Sequence, residues 1–261
     1  MVAVSRDRNV WLRRFHPVAG SDSPGAPAAC ELVCFPHAGG SAAYWRRLAL
    51  ELGPAVDVTA VQYPGRLDRL GEAPVEDLHR LADLVVEALG ARGDRPLALL
   101  GHSMGASVAY EVAVRLARLP GREPRLLAVS GRRAPAAPGR RHADWPRDDA
   151  ELVARVRRLG ETESALLDDP EMLEVVLPAL RGDYRALASY EPTPGRPLTC
   201  PVVALTGDRD PDVPVDDVRG WRECTSGEFL VRVFEGGHFF LTDHTSGVAD
   251  LMRGLLPAPA G

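Results

Sequence analysis

Short apolar runs alternate along the chain with longer stretches in which apolar positions recur at helical spacing. The short runs are "ELVCF" at 31–35, "VTAVQY" at 58–63, "PLALLG" at 96–101, "RLLAVSG" at 125–131, "PVVALTG" at 201–207 and "FLVRVFEG" at 229–236. The longer amphipathic patterns lie at 43–52, 75–89, 104–119, 215–223 and 246–256, the second opened by helix-start residues in "PVED" at 74–77. This succession predicts a mostly parallel sheet covered by helices on both faces.

The alternation breaks after Gly131. There "RRAPAAPGRRHADWPRDD", rich in Pro and Arg, carries no strand signal, and two helical patterns follow at 148–160 and 168–190 before "EPTPGRPLTC" leads back to a strand. The pattern predicts an N-terminal extension over 1–29, an α/β core over 30–131 and 196–261, and a helical lid inserted over 132–195.

Composition agrees with one domain carrying an insertion. The chain has 261 residues, of which 45% are hydrophobic and 26% charged, enough to bury a sizeable core. A net charge of -5 offers no overall attraction to nucleic acid or to anionic membranes, so neither is an expected partner. Cys30, Cys34, Cys200 and Cys224 are scattered without Cys-x-x-Cys pairs or histidines at zinc spacing, which predicts reduced, mostly buried thiols and no metal site. Charges in "MVAVSRDRNVWLRRFHPVAG" occupy the place where a signal peptide needs an apolar stretch, so the expected location is the cytoplasm.

The chemistry gathers around "GHSMGAS" at 101–107. A serine between two glycines, entered from a buried strand and left by a helix, reads as a nucleophile elbow. Gly101 and Gly105 leave room for a sharp turn that lifts the Ser103 hydroxyl clear of the sheet. In α/β-hydrolase folds the acid and the base follow the serine in that order. "ALTGDRDPDVP" supplies Asp208 and Asp210 after one strand, and "FEGGHFFL" supplies His238 after the next. His238 is preferred as base over His244, His102, His37, His142, His16 and His79, which lie before the nucleophile, within the elbow or toward the last helix. Asp210, past the turn, is the expected acid; Asp208 is expected to cap the turn, and Asp212 and Asp216 to be solvated or capping. Met104, after the nucleophile, and Ala38, in the small-residue loop "FPHAGGSAAYW", are the expected backbone donors to an oxyanion.

Five stretches together, "CFPHAGGSAAYWRRLA", "VQYPGRLDRLGEAP", "LLGHSMGASVAYEVA", "LTGDRDPDVP" and "FEGGHFFL", resemble the type II thioesterases of polyketide and nonribosomal-peptide synthesis. The likeness runs from about residue 30 to 255, and the Gln62-Tyr63-Pro64-Gly65-Arg66 stretch sets it apart from generic esterases. It implies a stand-alone α/β-hydrolase with a helical lid that hydrolyses stalled acyl groups from the phosphopantetheine arm of acyl or peptidyl carrier proteins. Ser103, His238 and Asp210 then form the triad, with Ala38 and Met104 as oxyanion donors. No cofactor is implied beyond the phosphopantetheine that the substrate itself carries.

Carrier proteins are typically acidic, so the basic segment that includes Arg132, Arg133, Arg140 and Arg141 is a candidate docking surface. Lid positions Leu166, Leu167, Leu173, Val176, Leu177, Leu180 and Leu187 are candidates either for an acyl chamber or for packing on the core. The alternatives to a thioesterase are a carboxylesterase, an acyltransferase using the same triad, or a hydrolase fold kept only for binding.

Overall fold

The computed structural model describes residues 8–15, 30–90, 95–135, 146, 148–160 and 168–256. Among them, seven strands form one sheet. β1 spans Leu12–Arg14, β2 Cys30–Phe35, β3 Val56–Val61, β4 Leu97–His102, β5 Leu126–Ser130, β6 Val202–Gly207 and β7 Phe229–Phe234. Their order is β1-β3-β2-β4-β5-β6-β7, and every pairing is parallel except β1 on β3.

The six parallel strands coincide with the six apolar runs. β2, β4, β5 and β6 are buried at every position, as strands between two helical layers must be. At the far edge β7 alternates between partly buried and exposed residues. On one face lie α3 (Leu78–Leu89) and α4 (Met104–Ala117), and on the other α2 (Arg46–Leu52) and α9 (Thr245–Leu255). Asp77 opens α3 by accepting from the Arg80 N–H at 2.7 Å, as the "PVED" signal predicts.

β2 has β3 on one side and β4 on the other, so the chain reverses its direction of growth between β2 and β4. In open α/β sheets ligands bind at the carboxyl ends of the strands beside such a reversal. β2 leads there into residues 36–41 and β4 into Ser103.

The expected N-terminal extension needs correction. Within 1–29 the described residues enter the fold: a short helix α1 (Arg8–Trp11) leads into β1, which covers the edge of β3. Trp11 is fully buried, and the Arg69 guanidinium lies 4.3 Å from its ring centroid. Three residues are too few for periodicity to show, and the arginines of "WLRRF" disguise the strand.

The lid contains α5 (Asp149–Leu159) and α6 (Pro170–Ala188), opened by Asp148 and Asp169, each accepting a backbone N–H at 2.9 Å. Leu152, Val153, Val156, Leu180 and Tyr184 form a small core between them. Toward the C-terminus follow α7 (Val215–Arg219) and α8 (Phe240–Asp243). All four cysteines are free and buried, and burial pushes the thiols of Cys200 and Cys224 up to about 12 and raises that of Cys34 as well.

Candidate active site

Between the end of β4 and the start of α4 stands one residue, Ser103, at φ 53° and ψ -119°. A non-glycine residue there costs on the order of 1–3 kcal/mol, which the surroundings must hold in place. Ser103 N–H donates to Ser130 O on β5 at 2.7 Å, and Ala106 N–H to Ser103 O at 3.0 Å. Close approach explains the flanking glycines: a Cβ on Gly101 would run into the backbone of Gly105, and one on Gly105 into the backbone of Phe35 and Pro36.

His238 follows β7 and Asp210 follows β6, both on loops at the carboxyl edge. Asp210 Oδ1 accepts from the N–H groups of Asp212 (2.8 Å) and Val213 (3.1 Å), which orients Oδ2 to accept from His238 Nδ1–H at 2.7 Å. With that proton on Nδ1, Nε2 is free to accept from the Ser103 hydroxyl, 2.9 Å away. His238 and Asp210 are buried, and Ser103 opens to a pocket.

Asp208 serves a neighbouring purpose. It accepts from Gly236 N–H at 2.8 Å and so ties the acid's loop to the histidine's loop, rather than capping its own turn as expected. Asp212 also departs from expectation: it is buried and pairs with Arg155 of the lid at 2.6 Å.

Behind His238 lies a buried aromatic wall. His102, whose ring centroid is 5.1 Å from that of His238, stacks on Tyr44 and bonds Ser130 Oγ at 2.9 Å. Burial, with the neighbouring His238 and His37, holds its pKa well below the usual value. His102 is therefore neutral and does not oppose positive charge on His238. His37 meets Tyr44 and Phe239 edge to face, while His244 Nε2–H donates to Glu235 O at 2.7 Å, away from the serine.

Two backbone N–H groups are disposed toward an anion. Met104 is the first residue of α4 and has no intrahelical acceptor. Ala38 lines the pocket with Ser103 and His238, and among the described residues its N–H has no acceptor.

The loop bearing Ala38 is held from outside. Gly39 N–H donates to Asp183 of α6 at 2.7 Å, and Asp183 pairs with Arg66, both buried. Gln62 accepts from Ala42 N–H at 2.9 Å and donates to Arg66 O at 3.1 Å, and Arg69 donates to Gln62 O at 2.7 Å. The Gln62–Arg66 stretch is thus the scaffold of the Ala38 loop, and Asp183, which sequence reasoning missed, completes it from the lid.

A family model of the thioesterase domain matches residues 30–256. The chain belongs to the thioesterase family. Thioesterase PikA5 of Streptomyces venezuelae is 48% identical over 239 residues, covering 91% of this chain and 82% of that protein. The solved structure of the type II thioesterase BorB, from the borrelidin biosynthetic cluster, superposes with a TM-score of 0.83 at 42% identity, covering 95% of this chain and 98% of that one. RedJ, the thioesterase of the prodiginine pathway in Streptomyces coelicolor, gives 0.80 at 39% identity over 92% of this chain and 91% of that one.

The basic segment of this thioesterase falls differently from expectation. Arg132 turns into the pocket wall, where its Nε–H donates to Ser107 Oγ at 2.8 Å, so it forms no part of an outer docking face. Arg133 sits at the rim, paired with Asp217 at 3.0 Å and donating to Asp212 O at 2.9 Å. Arg140 and Arg141 lie outside the described residues, as do Leu166 and Leu167. Of the remaining lid positions, Leu173, Val176, Leu177 and Leu180 pack between α5 and α6, and Leu187 lines the pocket.

Proposed function

We propose that this thioesterase removes acyl groups from the phosphopantetheine arm of acyl or peptidyl carrier proteins, the role that the names of its type II relatives describe for polyketide and related pathways. One observation carries the mechanism: His238 spans Ser103 and Asp210 with hydrogen bonds at 2.9 and 2.7 Å. His238 Nε2 takes the Ser103 proton as Oγ attacks the thioester carbonyl. The N–H groups of Ala38 and Met104 receive the developing oxyanion, and Asp210 stabilises the imidazolium without taking its proton.

Collapse of the tetrahedral intermediate expels the pantetheine sulfur, protonated by His238, and leaves an acyl-serine. Water activated by the same histidine then attacks, giving a free carboxylic acid and restoring the serine. The reaction draws on no metal or organic cofactor of the protein's own.

The test compares hydrolysis of one short acyl group on a phosphopantetheinylated carrier protein, on N-acetylcysteamine and on a matched oxygen ester. The carrier-bound thioester should give the highest kcat/KM, and Ser103→Ala should lose about 10^4-fold or more. A higher kcat/KM on the oxygen ester would make the protein a general esterase and overturn the carrier reading.

A further inference from the structure

The pocket that opens on Ser103 holds a cation that the mechanism above does not use. Arg132 follows β5 by two residues and lines this pocket beside Ser103 and His238. Its carbonyl accepts from the Trp221 indole N–H at 2.8 Å, which pins its main chain, and its Nε–H donates to Ser107 Oγ at 2.8 Å, which pins its side chain. Ser107 lies on α4 one helical turn beyond Ser103, a separation of ~5.4 Å along the axis.

The other charges around the pocket are matched. Arg155 pairs with Asp212 at 2.6 Å, Arg133 with Asp217 at 3.0 Å, and Asp210 with His238. Among the described residues no carboxylate pairs with Arg132, and its two terminal nitrogens have no hydrogen-bond partner. Burial lowers its pKa, as expected of a guanidinium withdrawn from water without a counter-charge. Removing an ion from water is costly unless a partner satisfies it, and a guanidinium presents a planar fork that matches a carboxylate.

We propose that Arg132 is an anion subsite within the acyl pocket, which selects acyl groups ending in a carboxylate: short dicarboxylic half-thioesters such as malonyl or succinyl. The inference rests on the thioesterase reading and names its substrate class. Position decides between the two anions that the substrate can offer. A terminal carboxylate on a two- to four-carbon acyl chain reaches one helical turn from the attacked carbonyl. The phosphate of the pantetheine arm lies beyond two amide groups on the far side of the sulfur. Hydrolysis then releases a free dicarboxylic acid and the pantetheine thiol, with water as the only co-reactant. Leu187 and Ala134, which also line the pocket, supply apolar wall for the intervening methylenes.

The test measures kcat/KM on N-acetylcysteamine thioesters of malonate and succinate against their uncharged isosteres, 3-methylbutanoate and 4-methylpentanoate. The wild-type enzyme should favour the charged chain at least fivefold. Arg132→Met should lower the charged-to-neutral ratio at least tenfold, and Arg132→Lys, a charge without the fork, should fall between. Free succinate should compete with the neutral thioester in the wild-type enzyme where butyrate does not, a readout independent of how the variants fold.

Preference for the neutral chain by the wild-type enzyme, or an equal fall for both chains in Arg132→Met, overturns the subsite. So does a fall confined to substrates bearing the phosphate, seen on coenzyme A but not on N-acetylcysteamine, which would assign Arg132 to the arm. In all three cases neutral thioesters are still cleaved, so the thioesterase reading stands. Absence of hydrolysis with every thioester would instead bring down that reading and the subsite with it.

Discussion

At the scale of single residues, the centre depends on groups whose freedom has been removed by neighbours. Asp210 spends one oxygen on two backbone N–H groups so that the other meets His238, and Ser103 is kept at φ 53° by bonds to β5 and α4. Asp183 does the same for the Ala38 loop, holding Gly39 N–H while neutralising Arg66. Asp183→Asn keeps the shape but leaves Arg66 buried without its counter-charge, and the loop that carries the Ala38 donor loosens. Loss of a whole oxyanion donor costs about 10^2–10^3 in kcat, so the expected fall for this partial loosening is roughly ten- to a hundredfold. Steady-state kinetics check it: kcat should drop with KM little changed, and a tetrahedral boronate inhibitor should weaken in parallel. A rise in KM alone would place Asp183 in substrate binding instead.

At the scale of elements, α6 is attached at both ends of its inner face. Asp183 joins it to the Ala38 loop. Just past its C-terminus, Tyr190 Oη–H and the Thr193 N–H and hydroxyl donate to Glu111, which is wholly buried in α4. Burial pushes the Glu111 carboxyl up, but hydrogen bonds from Thr193, Arg115 and Tyr190 more than reverse this and hold its pKa below the usual value. The folded chain therefore binds this proton less tightly than the unfolded one. The stabilisation is present at neutral pH and fades as pH falls through the folded-state value. Glu111→Gln should lower Tm by about 5 °C at pH 7, with the gap to wild type narrowing below the ordinary carboxylate range. Thermal melts across pH check it, and a constant gap would mean that packing, not charge, is lost. These anchors were not legible in the sequence. The triad was, because chain order and strand ends constrain Ser103, Asp210 and His238 to one edge. Glu111 and Asp183 look like any acid on an amphipathic helix, and only tertiary contact reveals that they face inward. The same limit hid Arg132, whose basic neighbours suggested a surface.

At the scale of the whole molecule, the order of helices and strands was readable because six buried strands leave six apolar runs. β1 left none, although it joins the first described residues to the common core. Trp11 stacks on Arg69, and Arg69 in turn holds Gln62, so the N-terminal segment continues the sheet rather than preceding it. Trp11→Ala should cost about 3–5 kcal/mol and lower Tm by roughly 10 °C. Loss of hydrolysis and loss of far-UV ellipticity should share one midpoint; separate midpoints would show the edge strand melting on its own. The buried cysteines have a consequence of a different kind. Three of the four thiols are held protonated by burial and all four are shielded, so the folded enzyme gives a disulfide dye such as Ellman's reagent little to react with. The yellow colour that develops as a thioester is cleaved then counts turnovers directly, and the same dye, in the absence of substrate, reports the moment at which the core comes apart.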